Sequence, residues 1–473
     1  MYKPQRLHPL AIFYFFIRRI YKMAQALIPL LVLAIAEAEF RHWLLLATPF
    51  ILLLFFAYGV LYWFRYVFYI QGQELRMESG VLIRKKRYIP FERVQTVQIS
   101  AGILQRLMGL VKVQVETAAG GKKAEFVLEA LPRQKAEELS SILQSREHLP
   151  PDSHLGENPA EYRLSTRNLL LLASTSNSIG VAIAAIAVIS QFNDVFANVH
   201  IWEKLGGFLK NIVAGEASLI ILLILALLFL AWLLSLLGTI IRFAGFRMIR
   251  DDKKIKISRG LFEKQQVTIP LNKIQSIKLI EGVLRQPLGM LSVQVVSVSN
   301  IDAKSEGSMI APLLPKSQLT RFMEEFLPEF TLPQQVEGLP ERAKTRYYLV
   351  NILPALVIAI LSAIFIPWGF LVFILVPLAA WLGKKQYQNA GWQVAGRSLI
   401  LRKRRLARVT TIIHRNRIQS LSVSRNFFQE RKRLNTLTIA FASGMNNGAR
   451  VKLKGMADED TRFIVDWFDR NTN

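Results

Sequence analysis

Residues 80 to 115 read GVLIRKKRYIPFERVQTVQISAGILQRLMGLVKVQV, and residues 260 to 295 read GLFEKQQVTIPLNKIQSIKLIEGVLRQPLGMLSVQV. The two align without a gap at a constant offset of 180. A third copy, 324 residues after the first, is looser: RNRIQSLSV at 415 to 423 answers FERVQTVQI at 91 to 99, but Arg404 stands where Gly80 does and His414 replaces Pro90. Gln95, Gln275 and Gln419 still coincide. A period this long belongs to a repeated domain, since solenoid units recur every 20 to 50 residues or so.

Around these copies the chain turns apolar. Hydrophobic residues make up 52% of it, yet the net charge is +26. Six stretches carry no charge at their centres, at 23–36, 44–64, 169–189, 217–240, 347–366 and 368–383. About 20 such residues cross a bilayer core, so six spans are expected. They come in pairs, each pair ahead of one copy. Pro29 and Pro354 lie 325 apart, one residue off the module offset, so the repeated unit includes its helical hairpin. The expected fold is therefore a membrane protein of transmembrane hairpins and small antiparallel β-sandwich or barrel modules, repeated three times. The divisions are 1–64 for an N-terminal segment and hairpin, 65–150 for module 1, 151–241 for a linker and hairpin, 242–332 for module 2, 333–383 for a linker and hairpin, and 384–473 for module 3.

Orientation follows from Lys and Arg, which are retained on the cytoplasmic side. The connections within the pairs hold only Arg41, Lys204 and Lys210; the other 57 of the 60 basic residues lie elsewhere. Both termini and all three modules are thus expected to be cytoplasmic. An even number of spans between modules requires them to share one side.

Within each module, apolar alternation marks strands at Leu75 and Met77, at Ile255 and Ile257, and at Leu399 and Leu401, then at Val111, Val113 and Val115. Each block closes on a helix: PRQKAEELSSILQ, PKSQLTRFMEEFL or MADEDTRFIVDWF. In the second, Leu319, Phe322, Met323 and Phe326 share one face, which suits packing on a sheet.

The run of IP, a basic residue, (V/I)Q(S/T), a ten-residue gap, then LG and a strand resembles the bacterial pleckstrin-homology-like domain of bPH2 type. Three copies behind three helix pairs resemble the YdbT-like family of bacterial membrane proteins. That resemblance implies PH-like modules and, with a smaller single-module relative (YdbS-like), a part in resistance of the cell envelope to membrane-active peptides and bacteriocins.

The repeated Gln95, Gln275 and Gln419 are read as structural, an amide satisfying backbone groups at an irregular strand end. Pro90, Pro270, Gly109 and Gly289 belong to the same motif and are read the same way. Leu104, Leu284 and Phe428 are read as core anchors of the turn that follows.

No enzyme signature emerges: GxxxxGK(S/T), GxSxG and HExxH are absent. Cysteine is absent, which excludes disulfides and thiolate chemistry, and the six histidines are scattered without a ligand pattern. No cofactor is expected, and His414 is read as filling the place of Pro90. No ionisable residue sits inside a span, which disfavours proton-coupled transport. The polar run from Ser174 to Ser178 is read as packing between helices.

The basic clusters remain. Residues from 384 onward hold 19 Lys and Arg against 6 Asp and Glu. Arg84, Lys85, Lys86 and Arg87 in module 1, and Arg402, Lys403, Arg404, Arg405, Arg431, Lys432 and Arg433 in module 3, are candidate contacts for anionic lipid headgroups. Each such cation near an anionic leaflet contributes about 1 kcal/mol. Aromatic platforms for nucleic acid are missing, so no nucleic-acid partner is expected. The expected function is a non-enzymatic membrane scaffold; its rival is a pore or exporter subunit acting through the six helices.

Overall fold

A computed structural model describes residues 4–17, 19–20, 38–117, 126–144, 160–176, 217–251, 253–297, 308–365, 369–443 and 449–469. Each copy of the recurring phrase becomes two strands joined by a one-turn corner. In chain order these six strands are β1 (Lys85–Pro90), β2 (Val94–Ala101), β3 (Lys264–Pro270), β4 (Ile274–Glu281), β5 (Arg408–His414) and β6 (Ile418–Ser424). The corners are single 3-10 turns at Phe91–Arg93, Leu271–Lys273 and Arg415–Arg417. Pro90 and Pro270 enter them at φ −61° and −65°, the angle the pyrrolidine ring imposes. His414 takes φ −71° at the same place, so the corner survives without the ring.

The corner carries the chain from one sheet of a module to the other. In module 1 the first sheet runs Gln5–Arg6, Val67–Gln71, Glu74–Ser79, then β1. The second runs β2, Leu110–Thr117, Phe126–Pro132. Their inner faces share one core, with Phe68, Leu75, Met77 and Ile89 from the first meeting Val97, Val113, Val115 and Leu128 from the second. Helix Arg133–Gln144 closes it with Ala136, Leu139 and Leu143. Helices Leu319–Phe326 and Asp458–Asp469 end the other modules, and Phe322, Met323 and Phe326 are buried as their spacing predicts.

The modules are not separate bodies. β2 of module 1 pairs antiparallel with β3 of module 2, from Lys264↔Ala101 to Thr268↔Val97. β4 of module 2 pairs with β5 of module 3, from Ser276↔Ile413 to Glu281↔Arg408. The second sheet of one module and the first of the next thus form a single seven-stranded sheet, twice. The expected small antiparallel sandwich is present in that each module has two layers, and those layers continue into its neighbours. The physical reason is that a phrase strand presents a full row of backbone donors and acceptors along its outer edge, and another strand of the repeat satisfies them. Short strands Glu161–Arg163 and Glu337–Gly338, placed in linkers by the sequence, edge the sheets of modules 2 and 3, as Gln5–Arg6 does in module 1.

Three helices among the described residues are long and apolar enough to cross a membrane: Leu46–Phe64, Glu341–Phe365 and Gly369–Asn389. A shorter apolar helix covers Leu228–Phe243. The expected span at 23–36 lies outside the described residues, and so does most of 169–189. Where that stretch is described, its polar run packs: Ser176 Oγ lies 2.9 Å from Ser235 Oγ, and the Trp232 indole donates to the Ser174 carbonyl at 3.2 Å. In the third hairpin, Asn351 donates to Gln386 Oε1 at 2.8 Å.

Candidate functional site

Two turns in every module point apolar side chains outward at the end where the membrane helices arrive. The first follows Ser79 and Arg259. Gly80 and Gly260 hold φ +108° and +106°, and a Cβ there would stand 2.1 Å from the carbonyl oxygens of Ile83 and Glu263, so only glycine fits. The turn leaves Leu82 92% exposed and bares Ile83, Leu261 and Phe262. In module 3, Arg404 makes the strand run on to an Arg404↔Arg408 pair, and a tighter turn presents Leu406.

The second turn follows β2, β4 and β6. It presents Ile103, Leu107 and Met108 in module 1, Val283, Leu284 and Leu288 in module 2, and Phe427 and Phe428 in module 3. Leu284 is 61% exposed and Phe428 75%, which corrects their reading as core anchors. The turn caps the end of its sheet and sends these side chains away from the core. It ends on a left-handed residue: Gly109 at φ +66°, Gly289 at +63°, and in the third copy Arg433 at +45°.

Hydrogen bonds tie these turns to the ends of the apolar helices. Arg65 Nη1 donates to the Val81 carbonyl at 3.3 Å, just beyond helix Leu46–Phe64. The amides of Gly260 and Leu261 donate to the carbonyls of Ala244 and Ile241 at 2.9 Å. Arg285 Nε reaches Thr175 Oγ1 at 3.0 Å, and Gln386 Nε2 reaches the Arg405 carbonyl at 2.9 Å. Arg106 of module 1 donates to the carbonyls of Leu261 and Phe262, so neighbouring modules share one tip. Apolar tips beside the ends of spanning helices are placed as interfacial anchors are.

The candidate cations fall into three groups. Arg84, Lys85, Lys86 and Arg87 are all exposed along β1. Because strand side chains alternate, Lys85 and Arg87 share a face, and both line a cleft of 370 Å³ with Arg19, Tyr58, Tyr62, Tyr66 and Glu129. The Tyr66 hydroxyl donates to the Val127 carbonyl, and burial pushes its pKa well above the usual phenol range. Lys86 sits on the other face, 3.4 Å from Glu78. Arg87 occupies the position of Val267, a buried core residue of module 2.

Arg431, Lys432 and Arg433 are exposed beside Phe427 and Phe428, with the Arg431 guanidinium 4.6 Å from the Phe427 ring centre. The third group, Arg402, Lys403, Arg404 and Arg405, is only partly available. Arg402 is half-buried and donates to the Asn389 carbonyl at 3.1 Å; Arg404 donates to the Leu406 carbonyl at 3.2 Å; Lys403 and Arg405 are exposed.

The repeated glutamines mark a bulge in every copy, with register slipping between Val94 and Thr96, Ile274 and Ser276, and Ile418 and Ser420. Gln95 and Gln275 are buried there, and Gln275 Nε2 donates to the Lys273 carbonyl at 3.2 Å; Gln419 is exposed. His414 accepts or donates at Ser398 Oγ, 3.2 Å away, and its ring centre lies 4.4 Å from that of Phe330. Among the described residues no group of His, Asp and Glu is arranged to hold a metal ion.

One cluster escaped sequence reading. Glu281 at the end of β4 is buried between Arg408, whose Nε lies 2.7 Å from Oε1, and Lys316, whose Nζ lies 2.6 Å from Oε2. Burial alone would raise its pKa, but Arg408 and Lys316 outweigh that and hold it below the ordinary carboxylate range. The signal available was the lone acid in IQSIKLIE, where the other copies have Ala101 and Arg425.

The family model of the bacterial PH domain matches residues 23–147, 204–329 and 348–472, each match beginning ahead of its module and taking in apolar helix. The chain belongs to that family. It is also similar to the UPF0699 transmembrane protein YdbT of Bacillus subtilis (strain 168), 34% identical over an alignment of 493 residues that covers 99% of this chain and 98% of the relative. It is thus a YdbT-like transmembrane protein with three bPH2 domains. No solved structure matches it. In this YdbT-like chain the first and third matches begin at 23 and 348 and cover both apolar stretches ahead of their modules, whereas the second begins at 204 and covers only the stretch at 217–240.

Proposed function

We propose that this chain is a non-enzymatic membrane scaffold that lays three joined PH-type modules on the cytoplasmic face of the membrane, on six spans, and supports envelope resistance to membrane-active peptides by engaging anionic lipid headgroups. The observation that carries this reading is a conjunction: exposed apolar tips in every module, such as Leu82, Leu284 and Phe428, a first turn hydrogen-bonded to a helix end in each, and exposed cations in the same turns of modules 1 and 3, among them Arg84, Lys85, Arg431 and Lys432. Apolar side chains that enter the headgroup layer gain hydrophobic free energy, and adjacent cations add roughly 1 kcal/mol each on an anionic surface. The cleft under β1, with Arg19, Lys85, Arg87 and three tyrosines, has the polarity of a headgroup site. The even spacing of spans supports a shared side for all modules.

The test is genetic and then physical. Deletion of the gene is expected to sensitise cells to cationic and cyclic membrane-active peptides. The intact chain restores resistance, whereas a variant carrying Phe427→Ser, Phe428→Ser and Arg431→Ser restores little at equal abundance. Unchanged sensitivity on deletion removes the envelope role; full rescue by the tip variant removes the lipid-facing role. Reporter fusions after Gln144 and Phe326 are expected on the cytoplasmic side, and a periplasmic or extracellular signal from either overturns the topology.

A further inference from the structure

Among the described residues the two joints use four of the six phrase strands and leave two at sheet edges. β3 and β5 are covered by the β2 and β4 edges of the preceding modules. β1, their counterpart, ends the four-stranded sheet of module 1. β6, the counterpart of β2 and β4, ends the three-stranded sheet of module 3. The side chains register what is missing. Val423 is 40% exposed where Ile99 and Leu279 are buried, and Tyr88 is exposed where Thr268 and Ile412 are buried. One chain thus carries, at its opposite ends, the two halves of a joint it builds twice internally.

We propose that β6 of one copy receives β1 of a second copy in the register of the internal joints, so that chains associate head to tail. Carrying the pairs of β4 and β5 over by the repeat offsets sets Ser420 opposite Ile89, Leu421 opposite Tyr88, Ser422 opposite Arg87, Val423 opposite Lys86 and Ser424 opposite Lys85. The backbone supplies the hydrogen bonds, as in strand addition at any open edge.

Charge selects the pairing. Two β1 edges from different copies would align Lys85, Lys86 and Arg87 against one another, and like charges directly opposite are destabilising. β6 reads IQSLSVS and opposes these cations with serines and apolar residues. One pair of cations, Arg84 and Arg425, meets at the end of the register, and there Arg425 is already turned to Asp458 and to Asn435 Oδ1. The lysines on β1 thus suppress self-pairing of that edge without closing it to β6, a common device on open strands. Such an interface is heterologous, and chains anchored by helices in one bilayer extend it in the membrane plane, as a closed ring or a linear array.

The chain contains no cysteine, which makes the test direct. Lys85→Cys and Ser424→Cys are made in separate copies and co-expressed in membranes. Residues opposite in an antiparallel pair have Cα atoms about 4.5–5.5 Å apart, inside the range a disulfide spans. On mild oxidation a cross-linked dimer is expected from the mixture and not from either variant alone, and the double variant gives a ladder of multimers. Ile280→Cys with Val409→Cys, the equivalent pair of the internal joint, serves as control and closes within one chain. If the control closes but the mixture yields no dimer, or if Lys85→Cys cross-links to itself or to a different protein instead, the proposal is overturned.

Discussion

The joint between modules 1 and 2 and the joint between modules 2 and 3 have the same backbone and different side chains. Both lay a β2-type edge against a β3-type edge in equivalent register. Only the second has a clamp, in which Glu281 is held by Arg408 and Lys316. Its counterparts in the first are Ala101, Lys264 and Arg133, with an alanine in place of the acid and Arg133 turned to Glu137 on its own helix. The backbone therefore suffices to join modules, and the ion cluster distinguishes the second joint from the first.

The largest expected effect breaks that clamp. Glu281→Gln leaves Arg408 and Lys316 facing each other with no carboxylate between them, both only partly solvated. It is expected to destabilise module 3 by about 2 kcal/mol, near the low end for truncating a buried charge pair because Lys316 keeps part of its solvent. Thermal unfolding of the purified protein in detergent, followed by calorimetry and by amide exchange of residues 391 to 414 in module 3, reads this. An unchanged midpoint would show that the clamp contributes nothing.

Acid separates the two joints without mutation. The folded pKa of Glu281 lies below its unfolded value, so its stabilisation is present above the ordinary carboxylate pKa of about 4.3 and is lost as pH falls through the folded value. The second joint is expected to weaken below about pH 4, and Glu281→Gln to remove that dependence. An acid transition identical in the variant would assign it to other groups.

A contrast between copies gives a smaller effect of opposite sign. Arg433 holds the left-handed conformation that Gly109 and Gly289 adopt freely. Such a conformation costs a side-chain-bearing residue roughly 1–2 kcal/mol, so Arg433→Gly is expected to stabilise module 3 by about 1 kcal/mol. A lowered melting temperature would mean that the arginine side chain does more there than its strain costs.

The smallest effect sharpens the comparison. Ala101→Glu rebuilds the clamp in the first joint, opposite Lys264 and near Arg133. As Lys264 is exposed, the gain is expected to lie between about 0 and 1 kcal/mol. A clear loss would show that the two joints are not interchangeable in their side-chain packing.

Much of this was legible in the sequence. The offset of the copies, the alternation at Leu75 and Met77 or Val111 to Val115, and the closing helices predict the repeated strands and the helix that ends each module. The joints were not read, because they are made by backbone groups that every residue carries. A signal did exist: β3 and β5 end in VTIP and TTIIH, fit for burial on both faces, whereas β1 reads KKRYIP, the charged pattern of an open edge. The tips misled for a related reason. Leu284 and Phe428 are apolar, and apolarity alone does not say whether a side chain faces a core or a bilayer. The basic run from Arg402 to Arg405 is uniform in sequence, yet strand alternation divides it between half-buried Arg402 and Arg404 and exposed Lys403 and Arg405.

Amide hydrogen exchange on dilute, monomeric protein tests the joining of the modules most directly. β3 and β5 are interior strands in this account, while β1 and β6 are edges. Residues 264 to 270 and 408 to 414 should therefore exchange slowly along their whole length, and residues 85 to 90 and 418 to 424 should retain fast amides on their open sides. If 264 to 270 and 408 to 414 exchange as fast as 85 to 90, the modules are separate bodies and the account is wrong.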